Sequence, residues 1–372
     1  MGAPGQTRSR PLAGPLTIQD LPTPALILDA AALRRNIAAM SEWAHGRVQL
    51  RPHAKIHKCA EIARLQLEAG AIGMTAATVP EAVAMADAGA EDILIANQVV
   101  GPHRVRAVAG LARHARIAVA LDDAGNAEAL ARAARAAGVT IDVLIDIDVG
   151  MGRCGVRSLD AARSLGRVVR SLPGLEPRGV MAYEGHAVLE PDRDRRQQLV
   201  DEALGYVMEV VDRLGEDGFA VDVISAGGTN TFDMTGAHPR VTELQAGTYA
   251  IMDAAYVPLA RAFEPALRIA ATVVSRQGTT AVLDCGTKVL AVDMALPQPV
   301  GVSATVRAVH EEHALLDVTR ADELRVGDVV ELVVGYCGGT TNLHDRYYVV
   351  EGQDVVDVWA IAPRGPGWQP PG

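Results

Sequence analysis

Between residues 25 and 225 the chain alternates short apolar runs with longer stretches whose apolar positions recur three and four residues apart. The runs fall at 25–28, 48–50, 72–76, 92–96, 117–121, 143–147, 179–182 and 221–225. Each is short enough for a buried strand, and the spacing between them is helical. Asp29 is placed to cap a helix over 30–43, because its carboxylate accepts from first-turn N–H groups. Ile62, Leu65 and Ala69 mark a helix over 58–69, while Pro80 opens another that Gly89 ends. Strands separated by helices need crossovers and therefore lie parallel. Eight of them suffice for a closed α/β barrel of the (β/α)8 type, which leaves the apolar run at 241–244 as an extra loop segment.

The pattern changes near Arg261. From Leu267 the chain becomes a series of short alternating runs, RIAATVVSR, TTAVLDC, SATVRAVH, HALLDVT, VVELVVG, RYYVVEG and VVDVWAI, with polar or glycine turns between them. Alternation of period two without a long helical stretch predicts a β domain. The boundaries are a flexible tail over 1–20, a barrel over 21–260 and a C-terminal β domain over 261–372.

Composition narrows the function classes. Of 372 residues 49% are apolar and few are aromatic, enough for a large core of small and aliphatic side chains. A net charge of −10 disfavours nucleic acid or an anionic membrane as partner, so any phosphate site has to be local. No apolar run reaches the length of a membrane span, and MGAPGQTRSRPLAGP lacks the apolar centre of a signal peptide. Cys59, Cys154, Cys285 and Cys337 are too widely separated for a zinc pair of the usual spacing. The expected setting is reduced and cytoplasmic.

Within this frame LRPHAKIHK, residues 50–58, sets Lys55 at the C-terminal end of a strand, just before a helix. Ligands gather at that end of a barrel, and a lysine that loses its charge there becomes a nucleophilic amine. On its own such a segment is more often a solvated basic loop, since lysine is usually exposed. If it is extended, His53, Lys55 and His57 share a face. The stretch 225–231, SAGGTNT, also follows a strand, and the backbone N–H groups of Gly227, Gly228 and Thr229 can form an anion nest. A glycine pair after a strand is equally often a plain turn.

RPHAKIHK resembles the lysine segment of the fold-type III pyridoxal phosphate (PLP) enzymes, in the D-threonine aldolase and D-serine dehydratase branch of the alanine racemase-like superfamily. The resemblance covers nearly the whole chain after the tail and matches the family plan of barrel followed by β domain. It implies that Lys55 carries the cofactor as a Schiff base, whereas Lys58 does not match the catalytic position. It likewise implies that Gly227, Gly228 and Thr229, with Gly247, Thr248 and Tyr249 from TELQAGTYAIMDAAY, surround the PLP phosphate. Arg153 is similar to the family arginine near the 3-hydroxyl, and Tyr183 to the residue lying against the pyridine ring.

One segment departs from the family. Its members hold a divalent metal with a His and an Asp or Cys two residues later, and that metal grips the substrate's β-hydroxyl. Here VGYCGGTTNLHD, residues 334–345, places Tyr336 and Gly338 at those positions. A phenol is a poor ligand and glycine has no donor side chain. Strand alternation turns Cys337 to the opposite face, His344 would serve only through a remodelled loop, and Asp345 reads as structural. The expected protein therefore has PLP as its cofactor and lacks the usual metal. The expected activity is that of a lyase on a D-configured β-hydroxy amino acid, like the D-threonine aldolases, with Tyr336 handling the hydroxyl proton. The alternative is a metal-independent racemase or epimerase, with Lys55 on one face of Cα and Tyr336 or a histidine such as His53 on the other. A dehydratase or a PLP carrier fits less well. A homodimer is implied by the family alone.

Overall fold

The computed structural model describes residues 14, 16–319 and 323–365. The chain opens with strands β1 (Leu16–Thr17) and β2 (Ala25–Asp29). Eight strands follow: β3 (Gln49–Leu50), β4 (Met74–Ala76), β5 (Asp92–Gln98), β6 (Arg116–Leu121), β7 (Ile141–Ile147), β8 (Leu175–Ala182), β9 (Val223–Ala226) and β10 (Glu243–Leu244). The last part holds β11 (Leu267–Gln277), β12 (Thr280–Leu283), β13 (Gln298–Pro299), β14 (Ala304–Val309), β15 (Ala314–Val318), β16 (Val329–Val333), β17 (Arg346–Glu351) and β18 (Asp354–Ala360). Among the described residues no helix is long and apolar enough to cross a membrane.

Two compact units result. The first, Met40–Lys55 with Ile62–Gly247, is a parallel sheet in the order β3-β10-β9-β8-β7-β6-β5-β4. Its two edges meet: His53 is bridged to Thr75, the Thr75 N–H donates to Pro52 O at 2.8 Å, and Ile72 N–H donates to Leu50 O at 2.9 Å. The sheet is thus a closed (β/α)8 barrel. Inside it Leu94, Ala118, Ala120, Leu144 and Met181 pack on one another, the alanines of β6 making room for the larger residues of its neighbours. A buried ion cluster completes the filling. Arg51 Nε lies 3.0 Å from both Glu243 carboxylate oxygens, its Nη1 is 2.7 Å from Asp92, and Ser225 Oγ donates to Glu243 at 2.7 Å. Removing one member would leave a buried charge unpaired, a loss of about 3–5 kcal/mol.

The second unit takes the chain up to Ala39, Ile56–Glu61 and the residues from Thr248 onward. Its sheet runs β1-β18-β17-β2-β11-β12-β15-β14, with β16 pairing β11 and β13. Ile18, Leu21, Ala25, Ile27, Ala270, Val350 and Val355 form its core.

Three expectations need correction here. The run at 25–28 is not a barrel strand: β2 pairs antiparallel with β11 and parallel with β17, and the segment 241–244 supplies the eighth barrel strand instead. An apolar run buried on both faces suits either sheet, so only long-range pairing assigns it. The two compact units part at 247/248, and the stretch before residue 40 groups with the C-terminal strands. The tail is ordered from Leu16, which pairs with Val355, and Ile18 is fully buried; residues 1–13 and 15 lie outside the described residues. Finally, strand alternation does not apply at Cys337, because Cys337–Leu343 is a helix. Its first turn is anchored from the side, Cys337 N–H donating to the Asp253 carboxylate at 2.9 Å.

Candidate active site

Parallel strands deliver all their C-terminal ends to one mouth of the barrel. Lys55 arrives there directly after β3, in a single 3-10 turn over Ala54–Ile56. That turn overturns the extended reading of the segment, so His53, Lys55 and His57 do not alternate on one face. His57 is fully buried and its ring Nδ1 accepts from the Cys59 N–H at 3.1 Å. Burial pulls the Lys55 ammonium below the usual lysine range, the charge of Arg153 pulls the same way, and Glu81 opposes them. An amine in this state is neutral more often at a given pH and therefore more nucleophilic.

Tyr183 follows β8 and presents its ring 5.9 Å from Lys55 Nζ. The ring packs close to backbone at two residues that lack a side chain. A Cβ at Gly185 would fall 2.4 Å from Tyr183 Cε1, and one at Gly228 would fall 3.3 Å from its Cε2. Arg153 stands exposed in the loop after β7. Asp146, near the end of β7, accepts from Gln98 Nε2 at 2.7 Å. Burial pushes its carboxyl up to about 6; the Gln98 hydrogen bond works against this and the charge of Asp122 adds to it.

The glycine turn after β9 differs in detail from the nest read in the sequence. Gly227 N–H donates to Glu184 Oε2 at 3.2 Å, and Gly228 N–H donates to Thr231 Oγ1 at 3.0 Å. The Gly227 and Gly228 amides, expected as anion donors, are therefore committed to protein acceptors. Gly227 has φ +87°, the left-handed region, and a Cβ there would lie 2.5 Å from Leu244 Cδ2, so glycine is required. Thr229 is buried at the tip of the turn, and Gly247 closes the barrel unit three residues after β10.

Thr248 and Tyr249 belong to the second unit, in a 3-10 turn over Thr248–Ala250. Tyr249 is fully enclosed, with its ring 5.6 Å from that of Phe263, so its side chain has a packing role. Tyr336 is the residue preceding the helix Cys337–Leu343. A Cβ at Gly338 would lie 2.9 Å from Tyr336 Oη and 3.3 Å from Ile56 Cδ1, so the phenol fills the space a side chain at 338 would need. Cys337 is turned inward beside Asp253, and burial pushes its thiol well above the ordinary range. His344 Nε2 lies 2.8 Å from Val289 O.

The alanine racemase N-terminal domain family matches residues 28–255. A putative serine dehydratase domain matches residues 266–350. The chain belongs to the alanine racemase-like family, in its D-threonine aldolase and D-serine dehydratase branch. It is 39% identical to a D-threonine aldolase of an Arthrobacter species over 92% of this chain and 93% of that one. A 3-hydroxy-D-aspartate aldolase of Paracoccus denitrificans is 34% identical over 94% of both chains. Among solved structures, the D-threonine aldolase of Filomicrobium marinum superposes with a TM-score of 0.92 at 36% identity, covering 96% of this chain and all of that one.

Alanine racemase-like enzymes of this branch depend on PLP, and the barrel mouth fits such a group. It offers an amine with lowered proton affinity, a ring bed 5.9 Å from that amine, and a turn of small residues at a strand end. The family's metal pair does not fit. Gly338 supplies no donor, its space belongs to Tyr336, and the two neighbours that could have substituted point to Asp253 and to Val289 O. Among the described residues no group of three or more His, Cys, Asp or Glu is suited to a metal ion. Gln98, Asp146 and Glu184 were missed in the sequence. The only local signal for the two acids was their place at strand ends, in IDIDVG and AYEGH.

Proposed function

We propose that this chain is a PLP-dependent lyase that cleaves the Cα–Cβ bond of a β-hydroxy-D-amino acid without the family's metal ion. The observation that carries the reading is Lys55, a lysine at a barrel strand end whose ammonium is depressed by burial and by Arg153. The relatives add weight, since the D-threonine aldolase and the 3-hydroxy-D-aspartate aldolase align over nearly their whole lengths. Lys55 Nζ would attach the cofactor, Tyr183 would bed its ring, and Arg153 would supply a charged hydrogen bond beside it. Once bound, PLP draws off the electron pair left at Cα when the Cα–Cβ bond breaks. The β-hydroxyl proton is assigned to Tyr336 Oη because its segment resembles the family's metal segment, and the proton that returns to Cα to Lys55 Nζ. Glycine and an aldehyde leave. With both metal-ligand positions changed together, proton transfer by the phenol replaces the divalent charge.

A phenol and an amine are also what a racemase needs on the two faces of Cα, which keeps the isomerase reading in play. The deciding experiment incubates the purified PLP-loaded enzyme with D-threonine, D-allo-threonine and D-serine and identifies the products by mass and chiral analysis, with and without EDTA. Glycine plus aldehyde, formed equally in EDTA, is the expected result. An epimer without aldehyde selects the isomerase, and activity abolished by EDTA and restored by manganese or zinc overturns the metal-independent reading. Borohydride reduction followed by peptide mapping should place the pyridoxyl group on Lys55 and nowhere else.

A further inference from the structure

Glu184 is fully buried and forms no ion pair among the described residues. Other buried acids have evident partners: Glu243 has Arg51, Asp142 has Arg116, and Glu81 receives the Ala77 N–H beside its helix start. The donors that reach Glu184 come from one short stretch, residues 227–235. Gly227 N–H reaches its Oε2 at 3.2 Å, Thr231 Oγ1–H reaches Oε1 at 2.8 Å, and Thr235 Oγ1–H reaches the same oxygen. The Thr231 hydroxyl in turn accepts the Gly228 N–H at 3.0 Å. Asn230 Nδ2 ties the tip of the turn to Val188 O at 2.8 Å, in the same loop as Glu184.

We infer that Glu184 is the positioning residue of the phosphate turn, an inference that rests on the PLP reading above. A carboxylate in a dry site is stable only with its full complement of donors, so the acid and the turn each require the other. Its charge repels a phosphate rather than attracting one, so the contribution is shape. It draws the turn inward directly through the Gly227 amide and, by way of the Thr231 hydroxyl, through the Gly228 amide, and so fixes the backbone of the turn. A turn held in shape by protein contacts binds an anion more tightly because less freedom is lost on binding.

The test compares two probes, pyridoxal phosphate and unphosphorylated pyridoxal, titrated into the cofactor-free full-length chain and followed by absorbance. Wild type should prefer the phosphorylated form. Glu184→Gln keeps the volume but turns an amide group toward the donors, so it should lower the affinity for pyridoxal phosphate by roughly tenfold or more and leave pyridoxal unchanged. Thr231→Val should lose the same preference while Thr231→Ser keeps it, and this pair carries the test should Glu184→Gln not fold. A Glu184→Gln or Thr231→Val protein that retains the full preference, or binds pyridoxal phosphate more tightly, overturns the inference. A wild-type protein with no preference for the phosphate overturns the cofactor reading itself, and the inference with it.

Discussion

Asp146 shows how one carboxylate at the barrel mouth can leave a signature in the whole protein's stability. Its carboxyl is pushed by burial up to about 6 from an ordinary 3.8, with Gln98 opposing and Asp122 adding. Between those two values the folded chain holds a proton that the unfolded chain has released. The associated stability is therefore fully present below about pH 4 and is lost as the pH rises through 6. The span corresponds to a contribution on the order of 2–3 kcal/mol. Asp146→Asn should accordingly gain on the wild type between pH 4 and pH 7 in urea unfolding, because the amide never becomes charged. An equal difference at the two pH values would contradict the assignment. Lys55 follows the opposite rule for a cation: its depressed proton affinity favours the neutral amine toward lower pH than in a free lysine, which suits attack on an aldehyde.

In the turn after β9, two adjacent glycines do different work. Gly227 is held in the left-handed region against Leu244, so Gly227→Ala should cost roughly 1–3 kcal/mol of folding stability. At Gly228 the backbone is ordinary and the space is merely tight, 3.1 Å to Val188 Cγ1 and 3.3 Å to the Tyr183 ring. Gly228→Ala should change stability by less than about 1 kcal/mol yet displace the ring and weaken PLP binding. Denaturant unfolding and cofactor titration of the two variants separate the effects, and reversed phenotypes would refute the division of roles. The same steric logic joins Tyr336 to Gly338. With the phenol oxygen 2.9 Å from where a Cβ at 338 would lie, a side chain placed there requires the tyrosine to shift.

Across the whole molecule the chain passes between the two units more than once, at 39/40, 55/56, 61/62 and 247/248. Neither is a continuous stretch. β2 has β11 on one side and β17 on the other, both from the C-terminal third. A fragment ending at residue 260, where the sequence pattern changes, would leave β2 without either neighbour and expose its unpaired backbone and apolar side chains. Such a fragment should aggregate or show rapid proteolysis before residue 40, whereas the full chain resists. A stable, soluble 21–260 fragment would count against this pairing.

By itself the sequence determined the class of the fold and offered Lys55 as the candidate lysine. Strand and helix periods are local properties, and RPHAKIHK sits in one contiguous stretch at a strand end. Departure from the metal pattern was legible for the same reason, as two residues in one segment. What tertiary structure decided was every assignment that depends on partners distant along the chain. The run at 25–28 and the run at 241–244 exchange roles because pairing, not hydrophobicity, chooses a sheet. The 227 and 228 amides point to Glu184 and Thr231 instead of outward, and the donors to Glu184 lie 43, 47 and 51 residues away, beyond any spacing rule. Lys55 supplies the last case: its place is written in a short motif, but its depressed proton affinity arises from burial and from Arg153, contributed by a different strand-end loop.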